Sequence, residues 1–142
     1  MKRALISIKG SPAILTGDGE IDESFELLTD GEYCNKNGYS TFNYMESELT
    51  GLNGLQTTFT VEPDRVVLQR GGGETGDMVF SETQKHHFLY ETPFGAITMG
   101  IDTHSIKNDM RDDGGNLEIR YNIEVDNITV SQNVFQISIR TQ

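Results

Sequence analysis

The sequence is poor in residues that several classes of protein require. Cys34 is the single cysteine among 142 residues, so no internal disulfide can form. Lys and Arg number 11 against 22 Asp and Glu, which gives a net charge of −11. So acidic a chain lacks the basic face that nucleic acid or anionic lipid would need. Long apolar runs are also missing, which argues against insertion into a membrane.

The amino-terminal segment does not resemble a secretory signal. Lys2 and Arg3 precede a short apolar stretch that Lys9 interrupts, and this stretch is shorter than the apolar region of a signal peptide. Together with the single cysteine, this predicts a cytoplasmic protein of bacterial type. The length predicts one domain over residues 1–142.

Alternation of apolar and polar residues is abundant. Between residues 117 and 125 every second residue is apolar: Leu117, Ile119, Tyr121, Ile123 and Val125. This is the period of a strand with one buried and one solvent-facing side. The same rhythm predicts ten strands, at residues 3–9, 25–35, 39–49, 55–62, 65–70, 77–81, 85–92, 96–110, 116–125 and 129–140.

Short turns join most of these strands. Asn37-Gly38 is the strongest hairpin signal because both residues tolerate positive φ, and Asp126-Asn127 predicts another turn. Short connections force antiparallel neighbours. Long consecutive hairpins favour an all-β, single antiparallel up-and-down barrel of about eight to ten strands over a sandwich, because closure removes exposed edges.

Some segments are expected to be irregular. Residues 11–24 are predicted to form a loop. A short helix within residues 11–23 or 105–111 remains an alternative. Gly31 is expected to mark a bulge or bend in its strand. The strand at 96–110 is expected to bend near Gly100 or to become irregular after Thr103.

Several segments together resemble a family of small bacterial YwiB-like proteins. They read ESELTG at 46–51, MVF at 78–80, YETPFG at 90–95, MGIDT at 99–103, GEY at 31–33 and EIRY at 118–121. The resemblance covers nearly the whole chain and implies a calycin-like barrel, similar in shape to lipocalins and fatty-acid-binding proteins. That family is a domain of unknown function, so the resemblance implies no activity and no catalytic residues.

No pattern of catalytic or metal-binding residues stands out. Residues 71–76 match the glycine spacing of nucleotide-binding loops, but a strand follows them where that fold needs a helix. His86 and His87 point to opposite faces of a strand, and with His104 they match no zinc spacing. The sequence therefore predicts no catalytic residue, no metal and no cofactor, and it disfavours an enzyme.

The predicted inner face carries aromatic and aliphatic side chains with a few polar ones. Apolar walls with a few orienting polar groups are typical of small-molecule pockets. Arg70 beside Tyr44, Tyr90 or Tyr121 can hold a carboxylate through a charge-assisted hydrogen bond. The residues predicted to bind a ligand are Phe42, Tyr44, Glu46, Leu68, Arg70, Phe88, Tyr90, Met99 and Tyr121.

Two functions follow from this interior. The first is a non-enzymatic module that binds a small amphipathic molecule, such as an acyl chain or an aromatic acid. The alternative is a protein-interaction or scaffold domain with a side-chain-filled barrel, in which Arg70 lies at the rim in water and a homodimer is one form of the partner. Neither function involves nucleic acid or insertion into a membrane.

Overall fold

A computed structural model describes residues 1–10, 13–16, 19–22, 24–46, 54–71 and 77–142. Within these ranges the chain forms strands and turns. The strands are β1 (Lys2–Gly10), β2 (Ala13–Thr16), β3 (Gly19–Asp22), β4 (Phe25–Lys36), β5 (Tyr39–Met45), β6 (Gln56–Val61), β7 (Val66–Arg70), β8 (Met78–Phe80), β9 (His86–Thr92), β10 (Gly95–Arg111), β11 (Gly114–Val125) and β12 (Ile128–Thr141). In the part of the chain that the structure describes, no helix is long and apolar enough to cross a membrane.

The strands form one antiparallel sheet in the order β8-β7-β6-β5-β4-β1-β12-β11-β10-β9. β1 pairs with both β4 and β12, so the first and last strands of the chain are neighbours. β8 lies close to β9 and β10, so the two ends of this order approach each other. The sheet therefore curls into a nearly closed ten-stranded barrel, which confirms the predicted all-β, antiparallel up-and-down architecture.

The prediction of a short helix within residues 11–23 or 105–111 is wrong for the described residues of both segments. β10 runs through residues 105–111 and pairs with β11 along this whole stretch, so its backbone groups are satisfied across the sheet. Segment 11–23 contains the β2–β3 hairpin, where a loop was expected, and β2 also pairs with β12 through Ala13 and Ile14. Residues 11, 12, 17, 18 and 23 of that segment lie outside the described residues.

Two expected irregularities have different outcomes. The ladder between β10 and β11 shifts between Thr103 and Ser105, which confirms the predicted irregularity after Thr103. Gly31 pairs with both Ala4 and Tyr44, and no shift interrupts either ladder there. A Cβ at Gly31 would lie 2.1 Å from the carbonyl oxygen of Asn43, so glycine allows close approach of two backbones and does not mark a bulge.

Alternation places most apolar residues of the long strands inside the barrel, although a few, such as Leu28 on β4 at 65%, are exposed. The buried core includes Ile6, Ile8, Tyr33, Phe42, Phe59, Val61, Val66, Leu68, Phe80, Ile101, Leu117, Ile119, Tyr121, Ile137 and Ile139. The rings of Phe42 and Phe59 stack at 4.8 Å, and Phe135 meets Phe59 edge-on at 6.2 Å. These aromatic contacts fill the middle of the barrel.

The two ends of the barrel differ. One end, here termed the loop end, carries the β2–β3 hairpin and the β5–β6, β7–β8, β9–β10 and β11–β12 connections. The opposite end carries the remaining turns, including Asn37-Gly38. There Tyr33 on β4 donates a hydrogen bond to the carbonyl oxygen of Arg111 on β10. β4 and β10 are not neighbours in the sheet order, so this bond connects separate parts of the barrel wall.

Candidate functional site

A row of polar side chains crosses the inner face toward the loop end. The register pairs Tyr44 on β5 with Thr57 on β6, and Thr57 with Arg70 on β7. Glu46 follows Tyr44 by two residues, so the two side chains share the inner face. We call Tyr44, Glu46, Thr57 and Arg70 the polar cluster.

Glu46 is a carboxylate buried among hydroxyl groups. It is 4% exposed, and the hydroxyl of Thr57 donates a hydrogen bond of 2.6 Å to its Oε1. The Tyr44 hydroxyl donates to the same carboxylate. The Glu46 backbone N–H donates to the carbonyl oxygen of Leu55 at 2.8 Å. These contacts compensate for removing the carboxylate from water and fix its position.

Tyr44 remains a neutral hydrogen-bond donor. Burial raises the pKa of its phenol well above the ordinary value, and the negative charge of Glu46 raises this pKa further. The positive charge of Arg70 partly offsets both effects. At neutral pH the hydroxyl therefore donates, and it carries no charge.

Arg70 is only partly engaged by this cluster. Its Nε lies 3.9 Å from Oε1 of Glu46, an ion-pair separation that is too long for a hydrogen bond. Among the described residues this Nε is buried without a hydrogen-bond partner. The side chain is 29% exposed. A guanidinium has five N–H donors in one plane, so Arg70 retains donors for a second acceptor.

Tyr121 extends the site onto β11. It is 6% exposed, and its ring lies 4.7 Å from that of Phe80 and 5.8 Å from that of Phe135. Burial raises the pKa of Tyr121 above the ordinary value, and the charge of Arg70 acts against that rise. Tyr121 is therefore within electrostatic reach of Arg70. The structure brings together three predicted site residues, Tyr44, Glu46 and Arg70, and the charge of Arg70 acts on a fourth, Tyr121.

The other predicted residues form the walls or lie at the loop end. Phe42 and Leu68 are fully buried. Phe88 is half-buried against the core, and Met99 is half-buried on the same side of β10 as Ile101. Tyr90 occupies β9 opposite Ile97, and only its backbone is among the described parts of the chain.

Sequence reasoning did not name Thr57 as a site residue. The alternation of β6 nevertheless indicated that Thr57 lies on the inner face. Thr57, Phe59 and Val61 occupy every second position of this strand, and all three are buried. Thr103 was likewise not included among the predicted binding residues. It is 6% exposed, and its Oγ1 has no hydrogen-bond partner among the described residues.

The three histidines and the single cysteine form no metal site in the described part of the chain. His86 is half-buried, and His87 and His104 are exposed. Cys34 is a half-buried free thiol. Over the described ranges, no group of three or more His, Cys, Asp or Glu side chains is placed to hold a metal ion. Residues 72–76 of the glycine-rich connection lie outside the described residues.

An open groove of about 580 Å³ crosses the outer face of the sheet from β4 to β10. Lys9 lies 3.9 Å from Glu26 there, and Lys107 lies 3.9 Å from Glu118. Exposed ion pairs of this kind contribute little to stability. Because the groove mixes both signs of charge, it favours no one class of charged ligand.

Comparisons with known proteins support the fold and the family. The model of a domain of unknown function, DUF1934, matches residues 6–137. The crystal structure of the ywiB protein from Bacillus subtilis is similar, with a TM-score of 0.80 and 21% sequence identity over 99% of this chain and 92% of that chain. No curated protein matches the sequence. Because the family match spans most of its length, the chain belongs to the DUF1934 family, as the resemblance to YwiB-like proteins predicted.

Proposed function

We propose that this barrel is a non-enzymatic module that binds a small amphipathic acid. The carboxylate of the ligand pairs with Arg70, and its apolar part lies against the aromatic wall of the barrel. The single observation that carries this proposal is the buried Nε of Arg70, which has no hydrogen-bond partner among the described residues.

An unsatisfied buried donor costs free energy. Leaving a buried polar group without a partner costs about 1–3 kcal/mol, and more when the group is charged. A buried donor without a partner is therefore unusual in a folded protein, and an acceptor supplied by a ligand is one explanation for it. A carboxylate suits Arg70 because the planar guanidinium offers paired N–H donors that match its two oxygens.

Glu46 orients Arg70 without saturating it. The 3.9 Å separation keeps the guanidinium near Glu46 but forms no hydrogen bond with Nε. The Glu46 carboxylate is already engaged by the hydroxyl groups of Thr57 and Tyr44. In this arrangement Glu46 holds the guanidinium in place, and a second carboxylate completes its coordination.

Two neutral tyrosines line the site, and one of them adds a donor. Tyr44 and Tyr121 are both buried, and both have a raised pKa, so their hydroxyl groups stay protonated. The single hydroxyl proton of Tyr44 is engaged by Glu46, whereas the neutral phenol of Tyr121 can donate to an anionic ligand without repelling it. Because Phe42, Phe59 and Phe135 fill the middle of the barrel, the ligand occupies the loop end and is short.

Protein docking at the loop end is the second candidate function. Several large apolar side chains are exposed there: Met45 at 53%, Leu55 at 40%, Phe94 at 99% and Ile128 at 67%. Clustered exposed apolar residues are typical of interaction surfaces. In this alternative the barrel interior serves only as a filled scaffold, and Arg70 needs no ligand.

Calorimetric titration with octanoate tests the acid site. Octanol, which has the same chain length but no carboxylate, is the uncharged control ligand. We expect octanoate to bind and Arg70→Met to weaken it by about tenfold or more, because hydrogen bonds to charged groups contribute about 1.5–3 kcal/mol. Arg120→Met is the matched control, because Arg120 pairs with Glu118 at 2.7 Å on the outer face. Equal octanoate affinity in all three proteins, or no binding to the wild type, would refute the proposal.

A further inference from the structure

We infer that Thr103 is a second polar anchor of this site, and that the ligand is an acid carrying a second polar group, of which a hydroxy acid is the simplest case. This inference rests on the proposed acid site at Arg70. It adds to that proposal the chemical class of the ligand and a residue that selects it.

Thr103 is a buried hydroxyl without a partner. The residue is 6% exposed, and its Oγ1 makes no hydrogen bond within the described part of the chain. It shares the inner side of β10 with Ile101, which is completely buried. A threonine that served packing alone would be replaced without loss by valine, which has the same shape and no polar atom to desolvate. The hydroxyl therefore calls for a polar partner inside the barrel.

The position of Thr103 places this hydroxyl next to the acid site. Thr103 pairs with Tyr121 across the β10–β11 ladder, and Tyr121 is within electrostatic reach of Arg70. Arg70 ends β7, and Thr103 lies on β10 beyond the seam between β8 and β9. Two unsatisfied polar atoms, a guanidinium donor and a hydroxyl, thus belong to different walls of the barrel, and Tyr121 is paired with Thr103 and influenced by the charge of Arg70.

The local backbone supports a special role for this position. The β10–β11 register shifts immediately after Thr103, so that Ser105 pairs with Arg120 and His104 has no opposite residue. Bulges of this kind redirect a side chain and are frequent beside binding sites. A ligand with a carboxylate at one end and a hydroxyl at the other satisfies both unpaired atoms at once.

A series of matched acids tests this inference. Straight-chain acids from butanoate to octanoate, each with its ω-hydroxy counterpart, are titrated calorimetrically into the full chain. We expect the hydroxy acid to bind about threefold to tenfold more tightly at the chain length that spans the two anchors, which is the gain from one hydrogen bond. That length then measures the separation of the anchors in solution.

Variants of Thr103 assign the gain to its hydroxyl. Thr103→Val should abolish the preference for the hydroxy acid, measured as the ratio of its affinity to that of the plain acid of the same length. Thr103→Ser, which keeps the hydroxyl, should retain the preference. Thr58→Val, on the outer side of β6, is the matched control and should bind like the wild type. Thermal unfolding checks the fold, and Thr103→Val should be at least as stable as the wild type because it removes an unsatisfied hydroxyl.

The outcomes separate this inference from the proposal on which it rests. If the acids bind through Arg70 but no hydroxy acid binds more tightly, Thr103 holds at most a structural water and the inference is wrong. A preference that survives in Thr103→Val also overturns it. If no acid of the series binds, the acid site itself fails and this inference fails with it.

Discussion

Tyr33 connects two walls of the barrel at the end opposite the polar cluster. Its side chain is fully buried, and its hydroxyl donates to the carbonyl oxygen of Arg111 and lies 3.3 Å from Oγ of Ser40. The two bonded residues are 78 positions apart in the chain. This contact therefore links β4 to β10 across the interior and is formed only in the closed barrel.

Removing this hydroxyl should destabilise the fold. We expect Tyr33→Phe to lower the free energy of unfolding by about 1–2 kcal/mol, because it removes the hydrogen bond to the Arg111 carbonyl oxygen and leaves the buried Ser40 hydroxyl with one partner fewer. Tyr39→Phe is the matched control, because Tyr39 is 48% exposed beside a turn and should change stability by less than about 0.5 kcal/mol. Urea unfolding of both variants makes the comparison, and equal midpoints would show that the cross-barrel bond contributes nothing.

The buried tyrosines predict a loss of stability in alkali. Burial raises the pKa of Tyr44 and Tyr121 in the folded state, whereas an unfolded tyrosine ionises near pH ~10. Below this pH both states are protonated and the contribution to stability is complete. As the pH rises above it, only the unfolded state releases protons easily, so the free energy of unfolding falls.

Phenolate absorbance measures this effect. Tyr44 and Tyr121 should ionise only as the protein unfolds, because burial raises the pKa of both phenols. Tyr44→Phe should remove one phenol from the absorbance change that accompanies unfolding. Completion of the phenolate absorbance change before the protein unfolds would contradict the burial of this pair.

At the level of single residues, the sequence predicted the charged part of the site but not all of its contacts. Alternation placed Tyr44, Glu46 and Arg70 on the inner face of their strands, as the structure shows. Thr57 was not named, because its role depends on which residue of β5 it faces. The unsatisfied hydroxyl of Thr103 is a property of its surroundings and has no signature in the local sequence.

The turns are the elements where sequence and backbone correspond most directly. Asn37 and Gly38 both adopt positive φ, at 53° and 82°, as their hairpin signal predicted. Asp126 and Asn127 also have positive φ, at 51° and 64°, although neither is glycine. The left-handed conformation carries a steric cost for residues with a Cβ. The two turns therefore predict opposite effects of substitution.

We expect Gly38→Ala to lower the free energy of unfolding by about 1 kcal/mol and Asn127→Gly to raise it by about 0.5 kcal/mol. A Cβ at Gly38 meets no atom within 4 Å, so the first effect isolates the backbone conformation. Urea midpoints of the two variants against the wild type provide the measurement. A stabilised Gly38→Ala, or a destabilised Asn127→Gly, would show that these turns are not strained as described.

At the level of elements, the ten strands of the barrel were predicted because alternation recurs along the chain and turn residues interrupt it. The β2–β3 hairpin was missed because the glycines and acidic residues at 17–20 made residues 11–24 read as a loop. The proposed helix at 105–111 failed because pairing with β11 overrides weak local preference. The bulge expected at Gly31 is not formed, because the reason for its glycine, the carbonyl oxygen of Asn43, lies on another strand.

At the scale of the whole molecule, closure of the barrel determines which side chains can meet. Short turns predicted antiparallel neighbours, and these neighbours give the observed order from β4 to β8 and from β9 to β12. The pairing of β1 with both β4 and β12, and the approach of β8 to β9 and β10, depend on sheet curvature. That curvature brings Tyr121 of one half within electrostatic reach of Arg70 in the other.

The acid site inside this barrel is the central claim, and the Nε–H signal of Arg70 in a proton–nitrogen correlation spectrum tests it most directly. Arg70→Met assigns the signal by removing it. On titration with octanoate we predict that the Arg70 proton resonance moves downfield and exchanges more slowly with water, as expected for a donor that gains an anionic acceptor. The Arg120 signal should stay in place. An Arg70 signal that does not move throughout the titration would contradict the account.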